Sequence, residues 1–135
     1  MSDERRTIVV GYDGSDVSRR ALGRAADLAG DGVRMVVVHA TPSLYPPPHA
    51  VTDPDEERRS EVLLEEAREL LGRRGVTPET RRPVGDPADE LVATATETGA
   101  DAIVVGRRRS PLAHLLGSVS SKVVEQAPCD VLVVR

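Results

Sequence analysis

The 135-residue chain contains no phenylalanine, no tryptophan and only two tyrosines. Its hydrophobic core must therefore come from Val, Leu, Ile and Ala, which is typical of a parallel sheet covered by helices. The scarcity of aromatic rings also removes the stacking platforms on which single-stranded nucleic acids bind. Since the net charge is −4 and the arginines are spread among acids, we expect no nucleic-acid partner.

Cysteine and long apolar runs are also scarce. Cys129 is the only cysteine, which excludes an intramolecular disulfide and a zinc site made of cysteines. The polar start Met1–Arg6 is not followed by an apolar segment long enough for a signal peptide, and no run reaches the roughly 18 apolar residues of a membrane span. The length favours one domain over residues 1–135, and we expect a cytoplasmic protein with no membrane partner.

The chain does contain a regular alternation of strand-like and helix-like segments. Short runs of β-branched residues alternate with longer segments whose apolar positions recur every three or four residues. The predicted strands are Thr7–Tyr12, Val33–His39, Thr77–Val84, Ala102–Gly106 and Asp130–Val134. The predicted helices are Asp16–Ala29, Asp55–Arg74, Pro87–Thr98 and Gly117–Gln126. Thr41–Pro54 holds five prolines and no periodicity, so we expect a flexible loop there.

This order predicts an α/β fold with an open five-stranded parallel sheet and helices on both of its faces. Pro78 and Pro83 place the third strand at a sheet edge, because proline cannot donate to the ladder. The fifth strand is apolar and is followed by no helix, and such an edge invites pairing with another chain. We therefore expect a homodimer through Val131–Val134.

Helical periodicity also predicts which side chains face the core. These are Val17, Ala21, Ala25 and Leu28 in the first helix, Val62, Leu63, Ala67, Leu70 and Leu71 in the second, Ala88, Leu91, Val92 and Ala95 in the third, and Val119, Val123 and Val124 in the last. Ser15 and Asp86 are the predicted N-caps of the first and third helices.

Ligands of open parallel sheets bind beyond the carboxyl ends of the strands, where the strand order reverses. Asp13 follows the first strand and is either a carboxylate that accepts hydrogen bonds from a ligand or the first residue of an Asp13-Gly14-Ser15 turn. Gly106 follows the fourth strand and either lets a phosphate approach the backbone or forms a simple turn.

The predicted fourth helix opens with Gly117-Ser118 and further hydroxyls. The first N–H groups of a helix lack internal partners and carry the positive end of its dipole, so they can hold a phosphate. Ser118 as a plain N-cap explains the same residues without a ligand. Arg107–Arg109, the densest positive cluster, fits a triphosphate above this cleft or a solvated loop.

Residues for catalysis or metal binding are not evident. His39, His49 and His114 have neither metal-ligand nor triad spacing, so we expect structural or solvated roles. No acid pair or nucleophile arrangement is present, and we expect no enzyme activity beyond, at most, slow hydrolysis of a bound triphosphate.

Four segments resemble the universal stress protein family: Ile8–Ser15, Gly85–Pro87, Gly117–Ser120 and Ala127–Val134. The likeness runs through the whole chain in order. It implies the strand order 3-2-1-4-5, a fold similar to that of the adenine nucleotide alpha hydrolases, dimers through the fifth strand, and a role in stress resistance or dormancy.

Family members that bind ATP resemble the pattern G-x2-G-x9-G-[ST]. Here Gly106 and Gly117-Ser118 match its two ends, Arg109 replaces the middle glycine, and the segment from Arg109 to Gly117 is two residues shorter. The resemblance implies ATP as cofactor, with Asp13 at the ribose or adenine. It further implies that Ala40 and Val105 line the base, and that Gly106, Gly117, Ser118, Val119 and Ser120 face the phosphates. Tyr12, Arg107 and Arg109 complete the predicted set.

Two functions stay open at this point. One is a regulatory protein that binds ATP, and the other is a stress protein that does not bind ATP and works through protein contacts.

Overall fold

The computed structural model describes residues 6–46, 48, 51–107 and 117–135. Its strands are Thr7–Gly11 (β1), Arg34–Val38 (β2), Glu79–Arg81 (β3), Ala102–Gly106 (β4) and Asp130–Val134 (β5). Its helices are Asp16–Ala29 (α1), Pro54–Gly72 (α2), Pro87–Thr98 (α3) and Ser118–Gln126 (α4). The predicted alternation is confirmed, with strands that are shorter than predicted at β1, β2 and β3.

The five strands form one parallel sheet in the order β3-β2-β1-β4-β5, as the resemblance implied. At the centre, Val9 of β1 pairs with Val36 of β2 on one side and with Ile103 of β4 on the other. The chain builds outward from β1 to β3 and then returns to the other side of β1 for β4 and β5. The strand order therefore reverses between β1 and β4, which is where a ligand crevice is expected in this type of sheet.

Local signals set the helix starts. The predicted N-caps Ser15 and Asp86 are confirmed, because their side chains accept hydrogen bonds from the main-chain N–H groups of Ser18 and Asp89. Asp53 caps α2 in the same way, so that helix begins at Pro54 and the predicted loop is one residue shorter. Pro47, His49 and Ala50 of that loop lie outside the described residues.

The core consists of two layers, one on each face of the sheet. On one face, Val10, Leu22 and Leu71 belong to a buried cluster between the sheet and helices α1 and α2. On the other, Leu91 and Val123 pack with the sheet beneath α3 and α4. Each fully buried side chain of this size contributes roughly 1.5–3 kcal/mol, which fixes the four helices over the sheet.

Three predicted core residues are wrong. Leu28, Val62 and Val124 are 62%, 67% and 49% exposed. The reason is that small polar side chains occupy the buried stripes of these helices: Ser18 in α1, Ser60 in α2 and Ser120 in α4. A buried face predicted from apolar residues alone is therefore displaced around the helix from the face that is buried in the structure.

No helix in the described ranges has both the length and the apolarity that crossing a membrane requires.

Candidate functional site

A cleft of about 230 Å³ opens above the carboxyl ends of β1, β2 and β4. The first turns of α1, α3 and α4 form its walls. This is the switch point at which the strand order reverses. The lining residues are Gly11, Tyr12, Asp13, Ser15, Val17, Ser18, Val38, His39, Ala40, Pro87, Leu91, Val105, Gly106, Gly117, Ser118, Val119 and Ser120.

The cleft brings together most of the predicted binding residues from four separate parts of the chain. Those that line it are Tyr12, Asp13, Ala40, Val105, Gly106, Gly117, Ser118, Val119 and Ser120. Arg107 is described but does not line the cleft, and its main-chain N–H donates to the carbonyl of Val134 at 2.6 Å. Arg108 and Arg109, with the rest of the segment 108–116, lie outside the described residues.

One part of the wall is apolar. Val38, Leu91 and Val105 are buried side chains that reach the cleft from β2, α3 and β4, and Ala40 lies beside them. A surface of this kind suits a flat, weakly polar ring system, because such a group is released from water when it packs there.

The first turn of α4 presents backbone donors to the cleft that have no partner among the residues the structure describes. Gly117 is the N-cap, and no side chain in the described ranges caps the helix, so the interpretation of Ser118 as a plain N-cap is wrong. The main-chain N–H of Ser121 donates to the Gly117 carbonyl at 2.9 Å, which leaves the N–H groups of Ser118, Val119 and Ser120 without intrahelical acceptors. This end of the helix carries partial positive charge and favours an anion.

Gly117 and the serines of this turn differ in backbone conformation, exposure and hydrogen bonding. Gly117 has φ −64° and ψ 163°, angles open to any residue, so its backbone conformation does not require glycine. Ser118 is exposed. Ser120 is buried, and its hydroxyl donates to the Gly106 carbonyl at 3.3 Å, which places the first turn of α4 directly on the end of β4.

Gly106 is the last residue of β4, so its interpretation as a turn glycine is wrong. A Cβ atom at this position would lie 2.9 Å from Cγ1 and 3.1 Å from the carbonyl carbon of Val17. The glycine is therefore needed for α1 to pack against the end of β4. Its predicted contact with a phosphate stays a prediction.

Asp13 lies on the cleft and also forms the predicted turn. Its Oδ1 accepts a hydrogen bond of 2.9 Å from the main-chain N–H of Ser15, and Gly14 between them has φ +82°, a conformation that favours glycine. The turn fixes the carboxylate at the end of β1. The interpretation as a turn residue is confirmed, and its role toward a ligand stays a prediction.

Tyr12 is anchored beneath the cleft by a network that the sequence did not reveal. Its hydroxyl donates to Oε1 of Glu66 on α2, and Nε of Arg19 on α1 donates to the same oxygen at 3.2 Å. Burial and the neighbouring carboxylate raise the pKa of Tyr12 far above its ordinary value. The hydrogen bond from Tyr12 is the main cause that holds the pKa of Glu66 below its ordinary value, and Arg19 adds to it. The network ties α1 and α2 to the end of β1.

A second ionic cluster fixes the opposite wall. Nζ of Lys122 on α4 lies 3.2 Å from Oδ2 of Asp86 and 2.8 Å from Oδ1 of Asp89 at the start of α3. The main-chain N–H of Asp89 is the largest cause that lowers the pKa of Asp86, and Lys122 contributes further. The two helix starts that frame the cleft are thus held together.

His39 is one of the cleft residues outside the predicted set; the others are Gly11, Ser15, Val17, Ser18, Val38, Pro87 and Leu91. His39 follows β2, and its Nδ1 lies 2.9 Å from the carbonyl oxygen of Tyr12. Its position directly before Ala40, at the carboxyl end of a buried strand, was the available signal. Within the described ranges, no group of three or more His, Cys, Asp or Glu residues could hold a metal ion.

Comparison with known proteins gives one consistent family. The family model described as "Universal stress protein family" matches residues 4–135. The chain is 36% identical to a universal stress protein of Mycobacterium tuberculosis over 149 aligned residues, which cover 96% of each chain. It is 37% identical to universal stress protein YxiE of Bacillus subtilis over 95% of this chain and 97% of that protein.

Solved structures agree with the sequences. The universal stress protein of Archaeoglobus fulgidus in complex with dAMP matches with a TM-score of 0.80 and 29% identity, over 96% of this chain and 98% of that one. A universal stress protein in complex with cAMP matches with a TM-score of 0.80 and 33% identity, over 96% and 97%. The chain described here belongs to the universal stress protein family.

Proposed function

We propose that this protein binds an adenine nucleotide in the cleft and acts as a regulatory protein of the stress response. The proposal depends on the start of α4, whose first N–H groups have no partner in the described part of the chain and open onto a cleft with an apolar wall. An anion site beside an apolar slot matches the two parts of a nucleotide. The complexes of related proteins with dAMP and cAMP support it.

The arrangement of the strands suggests how the nucleotide lies. The base packs against Val38 and Ala40 at the end of β2, and Val105 on β4 extends the same apolar wall. The 5′-phosphate accepts hydrogen bonds from the first N–H groups of α4, with the exposed hydroxyl of Ser118 beside them. Asp13 follows the central strand β1, between these two ends, where its carboxylate accepts from ribose hydroxyls.

The number of phosphate groups on the bound nucleotide is a separate part of the proposal. The glycine pattern at Gly106 and Gly117-Ser118 favours ATP, whereas the related complexes named above contain nucleotides with a single phosphate. Arg109 stands where the ATP pattern has a glycine, and this favours a second candidate function, a stress protein that works through protein contacts without ATP. The proposed role is binding rather than catalysis.

Calorimetric titration of the purified protein with AMP and with ATP tests the proposal. Adenine absorbance released on denaturation first shows whether the protein carries a nucleotide already. Heat on addition of either nucleotide is the expected result, and the ratio of the two dissociation constants tells whether the β- and γ-phosphates are held. No released adenine and no heat at millimolar concentrations of both would leave only the second candidate function.

We also propose that the protein forms a homodimer through β5. In the described part of the chain no strand pairs with the outer edge of β5, and Leu132 on this strand is 36% exposed. An apolar, unpaired strand edge favours pairing with a second copy.

Light scattering at micromolar concentration checks the dimer. We expect the mass of two protomers for the unmodified protein and of one for Leu132→Lys, because a lysine on an edge strand opposes pairing. Leu28→Lys places the same charge at an exposed leucine on α1 and is expected to leave the dimer intact. A single-protomer mass for the unmodified protein would refute the dimer.

A further inference from the structure

Lys122 is the only lysine of the chain and lies one helical turn beyond the start of α4. Its Nζ is 3.2 Å from Oδ2 of Asp86 and 2.8 Å from Oδ1 of Asp89, both at the start of α3. We call these three residues the Lys122 cluster. It joins two helix starts that line the cleft, where Pro87 belongs to α3 and Ser118 to α4.

The side chains of the Lys122 cluster are partly exposed to solvent. Ion pairs of this kind contribute little to the free energy of unfolding, because water screens the charges and the side chains lose conformational freedom. Any larger effect of the cluster is therefore local and concerns the position and the charge of the α4 start.

Two polar side chains hold the beginning of α4 against its neighbours. The hydroxyl of Ser120 donates to the Gly106 carbonyl at the end of β4, at 3.3 Å. Lys122 fixes the same part of the helix to α3. The backbone donors of the first turn are thus held in place from two directions.

The charge of the Lys122 cluster acts on the same place. One ammonium group offsets part of the charge of two carboxylates, and Oδ2 of Asp86 also accepts the main-chain N–H of Asp89 at 3.1 Å. As the N-cap of α3, Asp86 stays ionised there with or without the lysine. Lys122 is four residues from Ser118, about 6 Å along the helix axis. An anion at the first N–H groups of α4 therefore lies within a Debye length of the cluster.

We infer that Lys122 is a positioning residue for the phosphate group of the proposed nucleotide. It holds the first turn of α4 against α3 and offsets the carboxylates of Asp86 and Asp89, which otherwise repel the phosphate. The residue acts through the backbone donors of α4 and through charge, and it needs no contact with the nucleotide. The inference rests on the proposed nucleotide function and adds to it a residue outside the wall of the cleft.

Calorimetric titration of Lys122→Met with AMP tests the inference, because methionine keeps much of the side-chain length and removes the charge. We expect the dissociation constant to rise about fivefold at about 0.05 M sodium chloride and about twofold at about 0.5 M, where salt screens the carboxylates. Lys122→Arg keeps the charge and is expected to bind AMP within about twofold of the unmodified protein.

A double variant separates this role from a merely structural one. Adding Asp89→Asn to Lys122→Met returns the cluster to its original net charge and leaves the N-cap Asp86 intact. Most of the lost affinity for AMP is expected to return. A lysine that only ties two helices together predicts no recovery, because the second substitution restores no contact.

Arg74→Met is the matched control. Arg74 also joins two helices, through an ion pair of 2.6 Å from its Nη1 to Oδ1 of Asp27, but it lies beyond the end of α2 and near the end of α1. The substitution removes one positive charge, as Lys122→Met does, at the other end of these helices from the cleft. Affinity for AMP is expected to stay unchanged.

Unchanged affinity in Lys122→Met would overturn the inference, as would an equal loss in Arg74→Met or the absence of recovery in the double variant. Absence of AMP binding by the unmodified protein would instead refute the proposed function itself.

NMR with ¹³C-labelled lysine makes the test independent of any variant. Since Lys122 is the only lysine, its Cε gives a single signal. Saturating AMP is expected to shift this signal, because the phosphate charge arrives within a Debye length of the ammonium group. A signal that stays in place while calorimetry shows AMP bound would overturn the inference.

Discussion

The two ends of the cleft differ in what they present to a ligand. At the α4 end the donors are backbone N–H groups of a helix that no described side chain caps. At the β2 end the surface consists of side chains, the apolar Val38 and Ala40 together with the fixed ring of His39. A backbone site holds any anion that fits, whereas a side-chain site depends on residue type. Affinity is thus expected to come mainly from one end and selectivity from the other.

We expect the largest effect from a variant that blocks the backbone N–H groups at the α4 end of the cleft. In Gly117→Val the branched side chain stands at the mouth of α4 and blocks the approach of a phosphate. Loss of two hydrogen bonds to a charged group weakens binding by about a hundredfold. Calorimetry with AMP measures this.

Gly72→Val is the matched control for that variant. Gly72 is the last residue of α2, and a Cβ atom there meets nothing within 4 Å. Binding by this control is expected to equal that of the unmodified protein. Unchanged affinity in Gly117→Val would show that the phosphate binds elsewhere and that the two ends have been wrongly assigned.

The next effect concerns Gly106, which lies at the end of β4 beneath the first turn of α4. Gly106→Ala places a Cβ atom against the side chain and carbonyl carbon of Val17, so α1 must shift. We expect the free energy of unfolding to fall by about 1–3 kcal/mol, the usual cost of overpacking. Denaturant titration measures it.

A double variant identifies the cause of that loss. Val17→Ala removes the methyl groups that a Cβ atom at position 106 would meet, but it keeps the backbone carbon. The double variant Gly106→Ala/Val17→Ala is therefore expected to lose less free energy of unfolding than the sum of the losses in the two single variants. Strict additivity would mean that the contact with Val17 is not the reason for glycine here.

The smallest effect concerns the support beneath the cleft. Tyr12→Phe removes the hydroxyl that donates to Glu66 and is expected to lower the free energy of unfolding by about 1 kcal/mol at neutral pH. The pKa of Glu66 lies below its unfolded value in the folded protein, chiefly because of this bond. Its contribution is therefore complete above the ordinary glutamate pKa of 4.5 and is lost as the pH falls through the lowered value.

Thermal unfolding between pH 7 and pH 3 checks that sign. The difference in stability between the unmodified protein and Tyr12→Phe is expected to shrink toward the acid end. Tyr45→Phe, at the other tyrosine of the chain, which is exposed, is expected to change stability little at any pH. A difference that grows on acidification would contradict the role given to Glu66.

The fold was predictable from sequence to a large extent. Apolar strands and glycine or N-cap signals such as Ser15 and Asp86 are local, so the order of elements and most boundaries followed from them. The helix stripes were less predictable. Three buried serines lie on these stripes: Ser18, Ser60 and Ser120. Their burial depends on neighbouring elements, so a prediction based on apolar residues leaves them out and assigns the wrong helix face to the core.

The sequence predicted which residues line the candidate site better than it predicted what each of them does there. Asp13, Gly106 and Gly117 were identified by their places after strands and before a helix, and all three line the cleft. The reason for Gly106 is its contact with Val17, which is remote in sequence. His39 was missed because its bond to the Tyr12 carbonyl arises only when β1 and β2 are paired.

Local sequence sets the alternation of strands and helices, a core without phenylalanine or tryptophan, and a glycine at the start of the last helix, because each depends on residues close together in the chain. Tertiary structure alone decided which helix faces are buried, which hydroxyls are engaged, and that Tyr12, Glu66 and Arg19 meet under the cleft. Those contacts join residues far apart in sequence, and their energies exist only after the helices have packed on the sheet.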